Sequence, residues 1–134
     1  MRMILLAAAA TSLVGCQSIE GPPAQRSAEA QANYDRLLAG KSPGPAESCL
    51  PLQRTNDMTV IDDETILYRV GRTTYVNQPL GGCNSIGRGG YALVTRPSGS
   101  QLCRGDIATV VDVSTGTTVG GCSMGDFVPY RALN

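Results

Sequence analysis

The 134-residue chain has no histidine and no tryptophan, one phenylalanine (Phe127) and one lysine (Lys41). Without histidine, neither a Ser-His-Asp nor a Cys-His nucleophilic centre can be assembled, and imidazole-based metal sites are excluded. A Ser-Lys pair would have to recruit Lys41 from a segment rich in Gly, Ser and Pro. There is no G-x-S-x-G elbow and no G-K-[ST] phosphate loop, and no helical pattern follows the GRGG run at Gly87–Gly90. With so few large rings the core must be aliphatic and thin, which leaves a domain of this length marginal on burial alone. Basic and acidic residues number eleven each, so no excess of one sign argues for nucleic acid or an anionic bilayer as partner.

Long apolar runs are equally scarce. The one clear case, Met3 to Val14, follows Arg2 and carries no charge. As a helix it would span roughly 18 Å, well short of the ~30 Å hydrocarbon core, so it reads as the apolar part of an export signal rather than a membrane span. It ends in LVGC, where Leu13, Val14 and Gly15 precede Cys16. This ending resembles the lipobox of bacterial lipoproteins. The resemblance implies a diacylglyceryl thioether on Cys16, cleavage after Gly15 and acylation of the new amino group with a palmitate-class chain. Two or more chains would hold stably, each buried CH₂ contributing ~0.8 kcal/mol. Gln17, not Asp, follows the cysteine, which points to an outer-membrane anchor facing the periplasm. The expected division is a signal at 1–15, lipidated tether at 16–26, short helix at 27–40, linker at 41–48 and β domain at 49–134.

With Cys16 acylated, Cys49, Cys83, Cys103 and Cys122 remain. An even number in an exported chain reads as two disulfides. A Cys₄ zinc site is the rival, but these cysteines lack the short C-x₂₋₄-C spacing such sites use. Of three connectivities, the expected one joins Cys83 to Cys103 and Cys49 to Cys122, tying the start of the domain to its end. No metal and no cofactor is expected.

Ser27 is a good N-cap, Glu29 lies in the first turn, and Gly40-Lys41 close the segment. Ala30, Tyr34, Leu37 and Leu38 then form one apolar stripe, suited to packing on the chain's own domain. After Cys49 the period changes to that of strands. MTVID and TILYRV flank an acidic turn, with Ile66, Tyr68 and Val70 on one face; TTYVN, YALVT, DIATVVDV, TTVGG and DFVPY follow, the last with Pro129 marking an edge. The class expected is mainly β, an antiparallel meander sheet or small barrel of about five to six short strands with one N-terminal helix.

Three groups could carry chemistry. Asp62, Asp63 and Glu64 could bind Ca²⁺ or serve a glycosidase-like hydrolase, but neighbours in a hairpin turn point apart, and a solvated turn is the simpler reading. Arg104-Gly105-Asp106 spells an adhesion tripeptide, and a turn at a strand entry explains it. Tyr68, Tyr75 and Tyr91 could offer stacking rings to a small ligand or a polysaccharide.

From Cys49 the chain resembles an uncharacterised family of small four-cysteine proteobacterial exported proteins, a domain of unknown function. The resemblance lies in CLPL at Cys49, VIDDETIL at Val60–Leu67, GGC ending at Cys83, LCRGDI at Leu102–Ile107, and Cys122. It implies export and a disulfide domain, and it supplies no active site. The expected role is a lipid-anchored envelope module, structural or protein-binding and not enzymatic, with another envelope protein as partner. Ligand binding and carboxylate hydrolysis are the alternatives.

Overall fold

The computed structural model describes residues 25–52 and 55–133, the side chains of Thr55 and Asn56 excepted. LVGC and the apolar leader lie outside the described residues. Helix α1 spans Ala28–Leu38, and the Ser27 side chain accepts the Ala30 N–H at its start. Gly40 ends the segment at φ +70°. The strands are β1 Lys41–Pro43, β2 Cys49–Pro51, β3 Thr55–Asp62, β4 Thr65–Val70, β5 Thr73–Asn77, β6 Tyr91–Thr95, β7 Gln101–Cys103, β8 Ile107–Asp112, β9 Thr118–Ser123 and β10 Phe127–Ala132. Among the described residues no helix is long and apolar enough to cross a membrane.

The structure is mainly β, antiparallel, with one helix and two disulfides. Its strands form a five-stranded sheet in the order β1-β10-β5-β4-β3, a two-stranded ribbon β2-β7 and a three-stranded sheet β6-β8-β9. More strands occur than the sequence suggests because β1, β2 and β7 have three residues each, too few to display a period. β1 falls in the expected linker and pairs with β10, Lys41 opposite Ala132. β10 is therefore an interior strand, contrary to the expectation drawn from Pro129. The Pro129 carbonyl accepts the Gly44 N–H at 2.7 Å, so its missing N–H also faces the β1 side. There the strand has already given way to Gly44, and no ladder bond is lost.

Alternation along β4 and β5 explains how the layers stack. Leu67 and Val76 are cross-strand partners, as are Tyr68 and Tyr75. On one face Leu67 and Val76 join Ile61, Leu38 and the helix stripe Ala30, Tyr34 and Leu37. The apolar stripe of α1 thus covers its own sheet. On the other face Ile66, Tyr68, Tyr75 and Phe127 pack against Leu50 and Leu102 of the ribbon and Ala108, Val110 and Cys122 of the smaller sheet. One core is shared by all three sheets, and Phe127 and Tyr68 meet edge-on in it at 5.8 Å.

Both disulfides differ from the expected pairing. Cys49 bonds Cys103, and Cys83 bonds Cys122. The ribbon register sets Cys49 directly opposite Cys103, while a bridge between Leu80 and Ser123 brings the Cys83 loop beside β9. Closure of the domain's start on its end, expected of a Cys49–Cys122 bond, comes instead from β1 and from the bridge between Glu47 and Phe127. The sharpest backbone constraint lies near that end. A Cβ on Gly125 would sit 2.1 Å from the Gln78 carbonyl oxygen, and buried Asn77 both donates to the Gly125 carbonyl (2.8 Å) and accepts its N–H (3.2 Å).

Tyr68 is only 3% exposed, and burial pushes its phenol up to about 12 from 10.0. A buried phenol stays protonated where the unfolded chain ionises, so the folded state holds more protons between about pH 10 and pH 12. Its contribution is whole below pH 10 and declines as pH rises towards 12, by about 3 kcal/mol in all. Urea unfolding across this range should show the decline in the native chain and a flatter curve in Tyr68→Phe.

Candidate functional site

The acidic turn between β3 and β4 is a clasp rather than a solvated hairpin end. All four carboxylate oxygens of Asp62 and Asp63 are engaged. Asp62 Oδ2 pairs with Arg26 Nε at 2.7 Å and Oδ1 accepts the Glu64 N–H at 2.8 Å. Asp63 Oδ1 accepts the Gly87 N–H at 2.7 Å and Oδ2 the Ser85 N–H at 3.1 Å, while the Asp63 carbonyl accepts from Cys83 N–H. One short turn therefore holds the segment entering α1 on one side and the cysteine loop on the other.

Local conformation matches this role. Ser85 adopts φ +76°, an uncommon state for a residue with a side chain, and its N–H is the one presented to Asp63. A Cβ on Gly87 would lie 3.0 Å from Asp63 Oδ1 and 3.1 Å from Asp62 Cα, so the GRGG run begins with a residue that allows two backbones to touch. Arg26 also donates to Thr65 Oγ1 at 2.7 Å and lies 4.4 Å above the Tyr34 ring. Burial, followed by a hydrogen bond with Tyr130, pushes the Tyr34 phenol up to about 12.

A cleft of about 410 Å³ opens beside the clasp, with Arg26, Asp62, Glu64, Asn84 and Arg88 among its walls. Carboxylates fixed by backbone donors and an arginine are poorly placed to exchange protons with a substrate. Among the described residues no group of three or more metal-ligating side chains converges, at the clasp or elsewhere.

The remaining sequence candidates are structural as well. Tyr68 and Tyr75, at 3% and 8% exposure, are core residues, and Tyr91 is half-buried against the same cluster. These rings form no open stacking platform. In a chain with one Phe and no Trp, they supply the bulk that the interior needs. Arg104 pairs with Asp126 at 2.9 Å, Gly105 has φ +89°, and Asp106 accepts the Cys103 N–H at 2.8 Å. The tripeptide is thus a turn locking β7 to β8.

What sequence reasoning missed is an uncovered sheet face. In β8, Ala108 and Val110 point into the core, so Ile107, Thr109 and Val111 point outward. Register adds Ala92 and Val94 of β6 beside Val111 and Thr109. Val113 continues the outward set, and Ile107 and Val113 are 59% and 62% exposed. The set is apolar or hydroxyl-bearing, and exposed Arg96 borders it, its N–H donating to the Ile107 carbonyl at 3.4 Å. The outer face of the larger sheet has α1 over it, whereas here no helix intervenes among the described residues. The alternation in DIATVVDV was the available signal, since both of its faces are apolar.

No protein-family model, curated protein or solved structure matches the chain.

Asp63→Asn removes the charge and turns an NH₂ towards one of two backbone donors. It should cost about 1–3 kcal/mol in urea unfolding. Glu64→Gln, at a side chain outside the clasp bonds, should stay within about 0.5 kcal/mol of the native chain.

Proposed function

We propose that this chain is a lipid-anchored envelope protein, of the class of small exported four-cysteine domains, that works as a non-enzymatic protein-binding module. The observation that carries the proposal is the open, largely apolar outer face of β6 and β8, centred on Val94, Thr109 and Val111. Apolar faces of sheets are ordinarily covered, and a patch left open marks an interaction surface. Its partner is another envelope protein offering an apolar, uncharged surface.

Two further features support the reading. The layers run from α1 through the five-stranded sheet to the smaller sheets, so the open face lies on the side of the domain opposite the helix. Two disulfides suit an exported domain, as does the LVGC ending. The ligand-binding alternative loses ground with Tyr68 and Tyr75 in the core, and the hydrolase alternative loses Asp62, whose two carboxylate oxygens are both engaged.

Crosslinking in the native envelope tests the face. Ile107→Asp with Val113→Asp should leave the thermal midpoint close to that of the native chain and abolish a crosslinked product that native protein gives. Undiminished crosslinking would refute the assignment. The anchor has its own test: labelled palmitate should enter the native chain and not Cys16→Ser, and an unlabelled native chain would remove the membrane from the account.

A further inference from the structure

The two disulfides differ in what can reach them. Cys83 and Cys122 sit in the shared core at 0% and 8% exposure, packed among Ile86, Ala108 and Met124. Cys49 and Cys103 are half-buried and lie on the ribbon β2-β7 at the rim of the fold. Hydrogen bonds from Arg104 N–H to the Ser48 carbonyl (2.7 Å) and from Leu52 N–H to the Ser100 carbonyl (3.1 Å) flank the cysteine pair. The two cysteines therefore occupy a non-hydrogen-bonded site, where opposite residues approach most closely, and their Cα atoms are 4.0 Å apart. Opening the sulfur–sulfur bond there removes no ladder hydrogen bond. Leu50 and Leu102, fully buried next to it, keep the ribbon seated.

A cleft of about 300 Å³ borders Cys103. Ser98, Gly99, Ser100 and Gln101 form its wall together with Cys103 and Asp106, and Cys49 is not among its lining. The small side chains of the 98–100 loop leave the approach open. The one carboxylate on the wall, Asp106, is occupied by the Cys103 N–H.

From this geometry we infer that Cys49–Cys103 is a thiol–disulfide exchange site for an extracytoplasmic dithiol protein, with Cys103 the sulfur attacked, while Cys83–Cys122 is a permanent staple. The incoming thiolate bonds to Cys103 Sγ as the Cys49–Cys103 bond breaks, and Cys49 leaves as a thiolate that takes up a proton. The second thiol of the reductant, deprotonated, then attacks its own sulfur in the mixed disulfide and releases Cys103 as a thiolate. The reductant ends as a disulfide, and two electrons have passed to this chain. The inference rests on the export that the proposed function includes, and it uses neither the sheet face nor the lipid anchor.

The test treats the oxidised, folded, full chain with graded dithiothreitol, quenches with N-ethylmaleimide and maps the labelled peptides. Cys49 and Cys103 should be labelled about tenfold faster than Cys83 and Cys122, with circular dichroism unchanged. A thioredoxin-fold probe lacking its resolving cysteine should be trapped on Cys103. Gly99→Leu, at a position where a Cβ meets no atom within 4 Å, should slow both reactions severalfold without altering the fold. Simultaneous labelling of all four thiols, earlier opening of Cys83–Cys122, or trapping on Cys49 would overturn the inference.

Discussion

Two covalent loops that cross one another constrain the ribbon and the three-stranded sheet of this domain. Cys49–Cys103 spans 54 residues and Cys83–Cys122 spans 39, and they overlap between Cys83 and Cys103. In the chain-entropy description each closure stabilises the fold by about 4 kcal/mol. That is a large contribution for an interior whose rings are one phenylalanine and a few tyrosines. It also settles geometry: the first bond ties the two strands of the ribbon where their register sets the cysteines opposite one another, and the second pins the glycine-rich loop to β9. The Asp62-Asp63 clasp completes the arrangement by tying that loop and the approach to α1 to a single hairpin turn.

The same constraint accounts for where polar groups were recruited. In a small domain, carboxylates that look like chemistry serve as connectors, because loops without apolar side chains need charged hydrogen bonds to hold a path. Asp63 holds Ser85 and Gly87, Asp106 holds the entry to β8, and Asp112 holds the turn after it through Ser114 and Thr115. Hydrogen bonds from Ser114 keep the exposed Asp112 carboxyl below the usual carboxylate range. Cohesion of the domain thus engages the carboxylates of Asp62, Asp63, Asp106 and Asp112. The β6-β8 exterior stays uncovered by any helix among the described residues.

Much of this was legible beforehand. The Ser27 cap and the stripe from Ala30 to Leu38 define a helix that packs on its own sheet, and alternation in TILYRV and DIATVVDV gives two strands with their inward residues. The missing parts depended on contacts distant in sequence. Three-residue strands carry no period, so β1 looked like a linker and β2 and β7 did not appear. Cysteine pairing followed strand register, which spacing does not encode. The burial of Tyr68 and Tyr75 is implicit in the composition: without tryptophan and with a single phenylalanine, the core has no other large rings. Asp63 looked like a solvated turn residue because its partners lie 22 and 24 positions away.

The fold depends on the crossed connectivity, and peptide mapping of the non-reduced protein taken from its native source tests it most directly. The account requires one linked peptide pair containing Cys49 with Cys103 and another containing Cys83 with Cys122. Four free thiols, or the nested pairs Cys83 with Cys103 and Cys49 with Cys122, would contradict it.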